Sequence, residues 1–220
     1  MTIFILHYKK LSRRKNYLLS RFENLNHNII WVEEFDPEDI SISDLDEYYS
    51  FNSVIYNRRL NINEISLWMK HHFCYKIIRD LPNDLFLILE DDVIFNNGIF
   101  NNISQMVLPQ DYSICDLGNG CGLSPKNSPN EMFLSDVGKK TYPVYVDGCN
   151  FYSTDFGMRA TDSYLITQSA CDFLYNHKTI NYPSDYHINS FNDNPLKIYW
   201  YYPSLFNQGS QNGTYESSIQ

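Results

Sequence analysis

Residues 85–92, which read LFLILEDD, determine the predicted fold. The first five are apolar without alternation, which is typical of a strand covered on both faces in an α/β sheet. Glu90, Asp91 and Asp92 follow directly, so the sequence predicts three carboxylates at the carboxyl end of a buried strand. Ligands of parallel α/β sheets bind at that edge.

The N-terminal part of the chain alternates between strand and helix patterns. Residues 2–7 and 29–32 read as strands, and residues 11–24 between them carry apolar positions at roughly helical spacing. A βαβ start of this kind indicates a parallel sheet covered by helices. The fold class predicted is therefore α/β, with a mixed, mostly parallel sheet.

The clearest helix is predicted over residues 62–79. Asn61 and Glu64 form a capping-box pattern at its start, and an i, i+4 apolar stripe indicates that it is largely buried. Weaker patterns predict a short helix near Leu45 and further elements downstream. These are strands at Tyr112 to Asp116, near Val144 and at Lys197 to Tyr201, helices at Thr167 to His177 and after Ser184, and loops at Gly118 to Pro129 and from Pro203 onward.

Composition and charge exclude several classes of protein. Hydrophobic residues make up 43% and aromatic residues 16% of the 220 residues, which describes a folded domain. The net charge of −9 leaves no basic face for nucleic acid. The one basic concentration, residues 9–15, is short enough to receive a single diphosphate or to be the solvated side of a helix.

The sequence also leads us to expect a cytoplasmic protein. Five scattered cysteines without a CxxC pattern fit reduced thiols better than disulfides or a zinc site. The N-terminus lacks the pattern of a signal peptide, and no apolar run approaches the length of a membrane span.

The acidic cluster is the strongest candidate for chemistry. Three adjacent carboxylates repel each other, and burial makes the repulsion worse, whereas a bound cation relieves it. Oxygen ligands suit Mg²⁺ or Mn²⁺. In an extended segment Glu90 and Asp92 share a face and Asp91 points away, so Asp92 is the expected metal ligand and Glu90 the residue facing nucleotide or sugar. The alternative is a solvated acidic turn.

The sequence resembles glycosyltransferase family 25, which contains lipooligosaccharide and procollagen galactosyltransferases. The similar segments span almost the whole chain in the family's order. They are ILHYKKLSRRKNYL at residues 5–18, LNINEISLWMKH at 60–71, LILEDDV at 87–93, TDSYLI at 161–166, PSD at 183–185, and residues 203–218 with Gln208-Gly209-Ser210 and the Ser217-Ser218 pair. Lys70, Ser66 and Leu67 depart from residues that are frequent in the family.

The resemblance implies a GT-A-type fold, a UDP-sugar donor, a Mn²⁺ or Mg²⁺ ion and inversion at the anomeric carbon. We expect one domain over residues 1–220, with a nucleotide-binding half at 1–116 and an acceptor-side half at 117–220. The expected reaction moves galactose or glucose to a hydroxyl of a glycan or of a hydroxylated protein side chain.

On the donor side, candidate contacts surround the acidic cluster. His7 and Tyr8 end the first strand where they could hold the uracil, although Tyr8 also fits a core or surface position. Arg13 and Arg14 could contact the diphosphate or ribose, or lie on a solvated helix face. The complete candidate set for the donor is His7, Tyr8, Arg13, Arg14, Lys70, Glu90, Asp91 and Gln208.

For the metal, Asp91 and His187 are candidate ligands beside Asp92. An inverting transfer also needs a base for the acceptor hydroxyl. Asp185 is the first candidate because it lies at a predicted helix start and matches the family's acidic position, although a first-turn acid also stabilises a helix without any chemistry. Asp162 is the second candidate.

Two residues of the long helix have ordinary structural explanations. The capping box is sufficient to explain Glu64, and a histidine on a buried helix, such as His71, is usually a satisfied core residue.

Two other functions are also compatible with the sequence. One is a catalytically silent GT-A domain that binds a nucleotide-sugar or glycan, and the other is a nucleotidyltransferase, against which the C-terminal resemblance weighs.

Overall fold

The structure is a computed structural model that describes most of the chain. The described residues are 1–23, 25–48, 60–82, 84–119, 124–125, 132–133, 140–146, 149–154, 157–158, 160–177, 180, 182–191 and 195–217. Most of the predicted loop from Gly118 to Pro129 lies outside them, as does Ser218.

Helices and strands alternate through the first half of the chain, and strands dominate the second half. The strands are β1 Thr2–Leu6, β2 Asn28–Val32, β3 Phe86–Glu90, β4 Val93–Ile94, β5 Ile114–Asp116, β6 Ser124–Pro125, β7 Met132–Phe133, β8 Lys140–Val146, β9 Cys149–Thr154, β10 Ser163–Ile166, β11 Ile198–Tyr201 and β12 Asn207–Gln208. The helices are α1 Ser12–Phe22, α2 Ile42–Tyr48, α3 Ile62–Asp80, α4 Ile99–Ser104, α5 Gln168–Asn176 and α6 Ser184–Asn189.

One sheet runs through both halves of the described chain. Its strand order is β2-β1-β3-β10-β5-β11-β9-β8-β7-β6. β1 pairs in parallel with β2 and β3, β11 pairs in parallel with β5, and β10 pairs antiparallel with both β3 and β5. β2, β1, β3, β5 and β11 therefore run in one direction. The mixed, mostly parallel sheet predicted from the sequence is confirmed for these central strands, whereas the β9-to-β6 end is antiparallel.

The central strands are buried on both faces. Phe4 and Ile88 pack into a core cluster with residues of α3 and α5, while Ile5 and Leu87 pack into a second cluster with residues of α1 and α4. Successive side chains of a strand point to opposite faces, so apolar residues at every position are needed for a sheet covered on both sides. This confirms the interpretation of residues 85–89.

The start of α3 has the capping box predicted from its sequence. Asn61 Oδ1 accepts a hydrogen bond from the backbone N–H of Glu64, and Glu64 Oε2 accepts one from the backbone N–H of Asn61, both at 2.9 Å. Two N–H groups that have no partner inside the helix are thereby satisfied. α3 consequently begins at a defined residue beside the carboxyl edge of the sheet.

Sequence patterns missed several elements. α4, β9 and β10 were not predicted, and the tail beyond Pro203, predicted as a loop, contains β12, which pairs antiparallel with β4. β10 has four residues and β12 two, too few for a period to be recognised, and both depend on distant strands for their hydrogen bonds.

Among the described residues, no helix is both long and apolar enough to cross a membrane.

Candidate active site

The candidate site lies at the carboxyl edge of β1 and β3. The register pairs Leu6 with Glu90, so the residues that follow each strand, His7 and Asp91, come side by side. Three short connections then meet there: the turn after β1, the turn between β3 and β4, and the chain after β12. The predicted acidic cluster is therefore at the edge where α/β sheets bind ligands.

Asp91 is a buried carboxylate whose two oxygens are both engaged by protein groups. Its Oδ1 accepts a hydrogen bond from Arg14 Nη1 at 2.7 Å, and its Oδ2 lies 2.8 Å from His7 Nδ1 and 3.1 Å from the backbone nitrogen of Tyr8. Asp91 thus ties the end of β1 to α1. Binding of a metal by Asp91, as predicted, would require at least one of these partners to be displaced.

Asp92 differs sharply from its neighbour. Its Oδ2 accepts a hydrogen bond from the backbone N–H of Ser210 at 3.2 Å, but its Oδ1 is buried without a hydrogen-bond partner. The residue is only 3% exposed, and this burial raises the pKa of the Asp92 carboxyl above its usual value. A buried acceptor without a donor is costly and is relieved by a bound ligand.

The carboxylate of Glu90 has two polar neighbours, Thr161 and His71. Thr161 Oγ1 donates a hydrogen bond to Glu90 Oε1 at 2.9 Å, and His71 Nε2 lies 3.6 Å from the same oxygen. Burial, followed by the charge of Asp92, raises the pKa of Glu90 to about 8. Two buried acids that resist ionisation together form a site that favours a cation.

Two clefts meet at this cluster. The first cleft, with about 590 Å³ of space that includes open solvent, has seven predicted residues in its wall. These are Tyr8, Arg14, Lys70, Glu90, Asp91, Asp92 and Gln208. The second cleft is lined by Glu64, Leu67, Glu90, Ala160, Thr161, Pro183, Ser184, Asp185, Gln208 and Gln211. Leu67, Glu90 and Gln208 line both clefts, so a molecule in one cleft would lie next to a molecule in the other.

Lys70 lines the first cleft, but its ammonium group is occupied. Its Nζ donates to the backbone carbonyls of His7 at 2.9 Å and Glu34 at 2.6 Å, and it forms an ion pair with Asp36 at 2.7 Å. These bonds use all three N–H donors of an ammonium group. A phosphate contact by Lys70 would have to replace one of them.

His71 belongs to a buried hydrogen-bonded chain behind Glu90. Its Nδ1 lies 2.8 Å from the Tyr164 hydroxyl, which lies 3.0 Å from the Tyr75 hydroxyl. Burial lowers the pKa of His71 to about 3, so the imidazole is neutral at physiological pH. His71 is therefore a buried core histidine, as the ordinary interpretation of the sequence predicted. Its ring also lies next to the carboxylate of Glu90.

Four predicted residues line neither cleft. Asp162 is fully buried, accepts a hydrogen bond from Ser163 Oγ at 3.0 Å and packs on Gly118 so closely that a Cβ there would lie 2.1 Å from its Oδ2. Arg13 is exposed and lies over the Tyr215 ring. His7 directs Nδ1 to Asp91, and His187 lies edge-on to Trp68 at 5.3 Å between ring centroids. In the described part of the chain, no three His, Cys, Asp or Glu side chains converge as a metal site.

Sequence reasoning did not single out Thr161 or Ser210 for a site role. Thr161 holds Glu90 from the neighbouring strand end, and Ser210 holds Asp92 through a backbone N–H. Both lie in segments that carry the family resemblance, which was the only available signal. Because every residue except proline has a backbone N–H, a backbone donor cannot be recognised from the residue type.

The burial of His187 predicts acid sensitivity. Burial lowers its pKa to about 4 from an ordinary 6.5, so between these values the unfolded chain binds more protons than the folded one and stability falls as the pH falls. Replacing His187 by Gln should reduce the stability loss between pH 7 and pH 5 by up to about 2 kcal/mol. Urea unfolding at the two pH values measures this, and an equal loss in both proteins would contradict it.

Comparisons with known proteins identify the family. Residues 1–188 match the model of glycosyltransferase family 25, described as an LPS biosynthesis protein. No curated protein gives a significant match.

Three solved glycosyltransferase structures align with this chain at low identity. A glycosyltransferase involved in glycosylation of the major capsid of PBCV-1 covers 94% of this chain and 92% of its own, with 13% identity and a TM-score of 0.47. The glycosyltransferase GlyE of Streptococcus pneumoniae TIGR4 has 8% identity and a TM-score of 0.41, covering 90% of this chain and 44% of its own. The galactosyltransferase LgtC, solved with donor and acceptor sugar analogues, has 12% identity and a TM-score of 0.40, covering 90% and 73%.

The family match covers both the β1–β3 edge with its acidic cluster and the segment through α6, and it agrees with the family resemblance found in the sequence. The chain therefore belongs to glycosyltransferase family 25, has a mixed α/β fold, and is a glycosyltransferase with a sugar donor and an acceptor.

Proposed function

We propose that this glycosyltransferase uses a divalent metal to transfer galactose or glucose from a UDP-sugar to a hydroxyl, with inversion at the anomeric carbon. The observation that carries the proposal is the meeting of two clefts at Glu90, next to an Asp92 carboxylate that has one buried oxygen without a protein partner. A donor in the first cleft and an acceptor in the second would face each other across Glu90.

The oxygens of the first cleft fit a hard divalent cation. Asp92 Oδ1 and Gln208 Oε1 are both buried without hydrogen-bond partners, and both residues line this cleft with Glu90. Carboxylate and amide oxygens are the ligands that Mg²⁺ and Mn²⁺ prefer. Asp92 would be the principal ligand, supported by Gln208. When bound, the ion would supply positive charge to the departing diphosphate.

The rest of the first cleft suits a uridine diphosphate group. Tyr8 forms part of the wall and is the proposed contact for the uracil, and its hydroxyl donates a hydrogen bond to Glu38 at 3.1 Å. The Arg14 guanidinium also forms part of the wall while bonded to Asp91. A guanidinium has five N–H donors, so Arg14 could donate to a phosphate oxygen while it stays bonded to Asp91 and Glu216.

Asp185 is the proposed base. It lines the second cleft at the start of α6, and burial raises the pKa of its carboxyl. Asp162 does not line the cleft, which leaves Asp185 as the better placed of the two candidates. In the proposed step the acceptor hydroxyl gives its proton to Asp185 as its oxygen bonds to the anomeric carbon, and the electron pair of the breaking bond leaves with UDP.

The test is a panel of nucleotide-sugars with Mn²⁺ and hydroxyl acceptors, scored by released nucleotide. We expect release of UDP from a UDP-hexose, its loss in excess chelator, and a rate about 10²- to 10⁴-fold lower for Asp185→Asn with donor binding retained. Asp80→Asn, which changes an exposed acid at the end of α3, is the control and should transfer normally.

Three outcomes would contradict the proposal. Transfer at full rate in excess chelator would show that the reaction does not depend on a metal. Release of a different nucleotide would show that the donor is not a UDP-sugar. Stabilisation by UDP without turnover on any acceptor would contradict the proposed transfer reaction.

A further inference from the structure

The segment after β11 forms a closed turn over the acidic cluster. We name residues 207–217 the C-terminal strap. β12, its first part, pairs antiparallel with β4, and the next two backbone N–H groups both reach Asp92. Gly209 donates to the Asp92 carbonyl at 2.8 Å, and Ser210 donates to Asp92 Oδ2 at 3.2 Å. The strap therefore fixes both the backbone and the carboxylate of Asp92.

Gly209 is the point of closest approach between the strap and Asp92. A Cβ at this position would lie 2.7 Å from the backbone oxygen of Asp92 and 2.5 Å from Cδ2 of Tyr215. The first of these atoms belongs to the backbone of the short, buried turn between β3 and β4, so it cannot move aside easily. Only glycine allows this approach.

The far end of the strap is held separately. The backbone N–H groups of Thr214 and Tyr215 both donate to the Gly209 carbonyl, at 2.9 and 3.0 Å. The Tyr215 ring lies 5.3 Å from the Arg14 guanidinium, and Arg14 also donates to the Glu216 carbonyl. Because Arg14 holds Asp91 through its other nitrogen, one side chain joins the strap to the acidic cluster.

We propose that the C-terminal strap is a positioning element for the donor site and that Gly209 is its principal positioning residue, acting through Asp92. The inference rests on the proposed role of Asp92 in donor binding. It assigns a function to residues that follow the family-matched range 1–188. Without the Ser210 N–H, the carboxylate of Asp92 would lose its one hydrogen bond to the described protein and could rotate away from the cleft.

The experiment compares two strap variants with a matched glycine variant. Gly209→Ala introduces the clash, and Ser210→Pro removes the N–H that donates to Asp92. Gly98→Ala is the control, since a Cβ there meets no atom within 4 Å although its φ of 85° carries a general cost. The readouts are affinity for UDP in the presence of Mn²⁺, KM for the acceptor, and hydrogen exchange of the strap amides in the unliganded protein.

Both strap variants should bind UDP with Mn²⁺ at least tenfold more weakly, keep the acceptor KM within about twofold, and exchange their strap amides faster. The Gly98→Ala protein should bind UDP within about twofold of the original. Unchanged UDP affinity in both folded strap variants would overturn the proposal. If the original protein binds no UDP, the proposed function fails. Hydrogen exchange still tests the strap in that case, because unchanged protection of the strap amides in Gly209→Ala would refute the docking of the strap through Gly209.

Discussion

Replacing Asp92 by Asn is expected to lower sugar transfer by at least about 10²-fold while making the unliganded protein more stable. Asp92 is 3% exposed and has one carboxylate oxygen without a partner, and burial together with the charge of Asp92 raises the pKa of Glu90. Asn keeps the shape and an oxygen for the Ser210 N–H but removes the buried charge. The stability gain should be about 1 kcal/mol or more at neutral pH.

The measurements are released UDP and thermal unfolding with and without Mn²⁺. In Asp92→Asn the stabilisation by Mn²⁺ and UDP should also disappear. The adjacent substitution Asp91→Asn is the matched control, because it removes the partner of Arg14 and His7 and should destabilise the protein by about 3 kcal/mol. If Asp92→Asn transferred sugar normally, the metal role would be wrong, and equal destabilisation by both changes would contradict the conclusion that the buried Asp92 charge destabilises the unliganded protein.

Replacing Lys70 by Met should destabilise the fold by about 3 to 5 kcal/mol. Asp36 is fully buried, and Lys70 is its buried counter-ion at 2.7 Å. Loss of Lys70 leaves this buried charge with only the half-exposed Lys9 ammonium at 3.7 Å and the Lys9 backbone N–H, and it also removes the donor to two backbone carbonyls. Urea unfolding measures the change in the free energy of unfolding.

Lys9 provides the control for Lys70. It lies 3.7 Å from the same aspartate but its side chain is 48% exposed, so Lys9→Met should lower the free energy of unfolding far less than Lys70→Met does. A second substitution, Asp36→Asn, should recover part of the stability lost in Lys70→Met. If Lys70 instead serves mainly as a donor contact, the candidate role that its sequence position suggested, Lys70→Met would keep its stability and lose affinity for UDP.

The two acids Asp91 and Asp92 illustrate how far sequence reasoning reaches. Alternation along an extended chain predicted that Asp91 would point away from Glu90 and Asp92, but Asp91 and Asp92 lie in the turn after β3 and all three acids line the first cleft. What distinguishes the two aspartates is that Asp91 is bonded to β1 and α1 while Asp92 keeps a partner-free oxygen. The roles of Glu90 and Asp92 remain predictions. The partners that separate the two aspartates lie 77 and 118 residues away in the chain, so no local pattern could name them.

The sequence by itself determined the elements whose signals are local. The continuous apolar run of β3, the capping box of α3 and the acids after β3 depend on neighbouring residues, and these placed the cluster at the correct edge of an α/β sheet. Only the tertiary structure decided that β10 enters between β3 and β5, that Lys70 is a buried counter-ion, and that the C-terminal strap closes on Asp92. The physical reason is that hydrogen bonds and ion pairs between distant segments depend on the packed fold, whereas periodicity and capping are properties of a short stretch of chain.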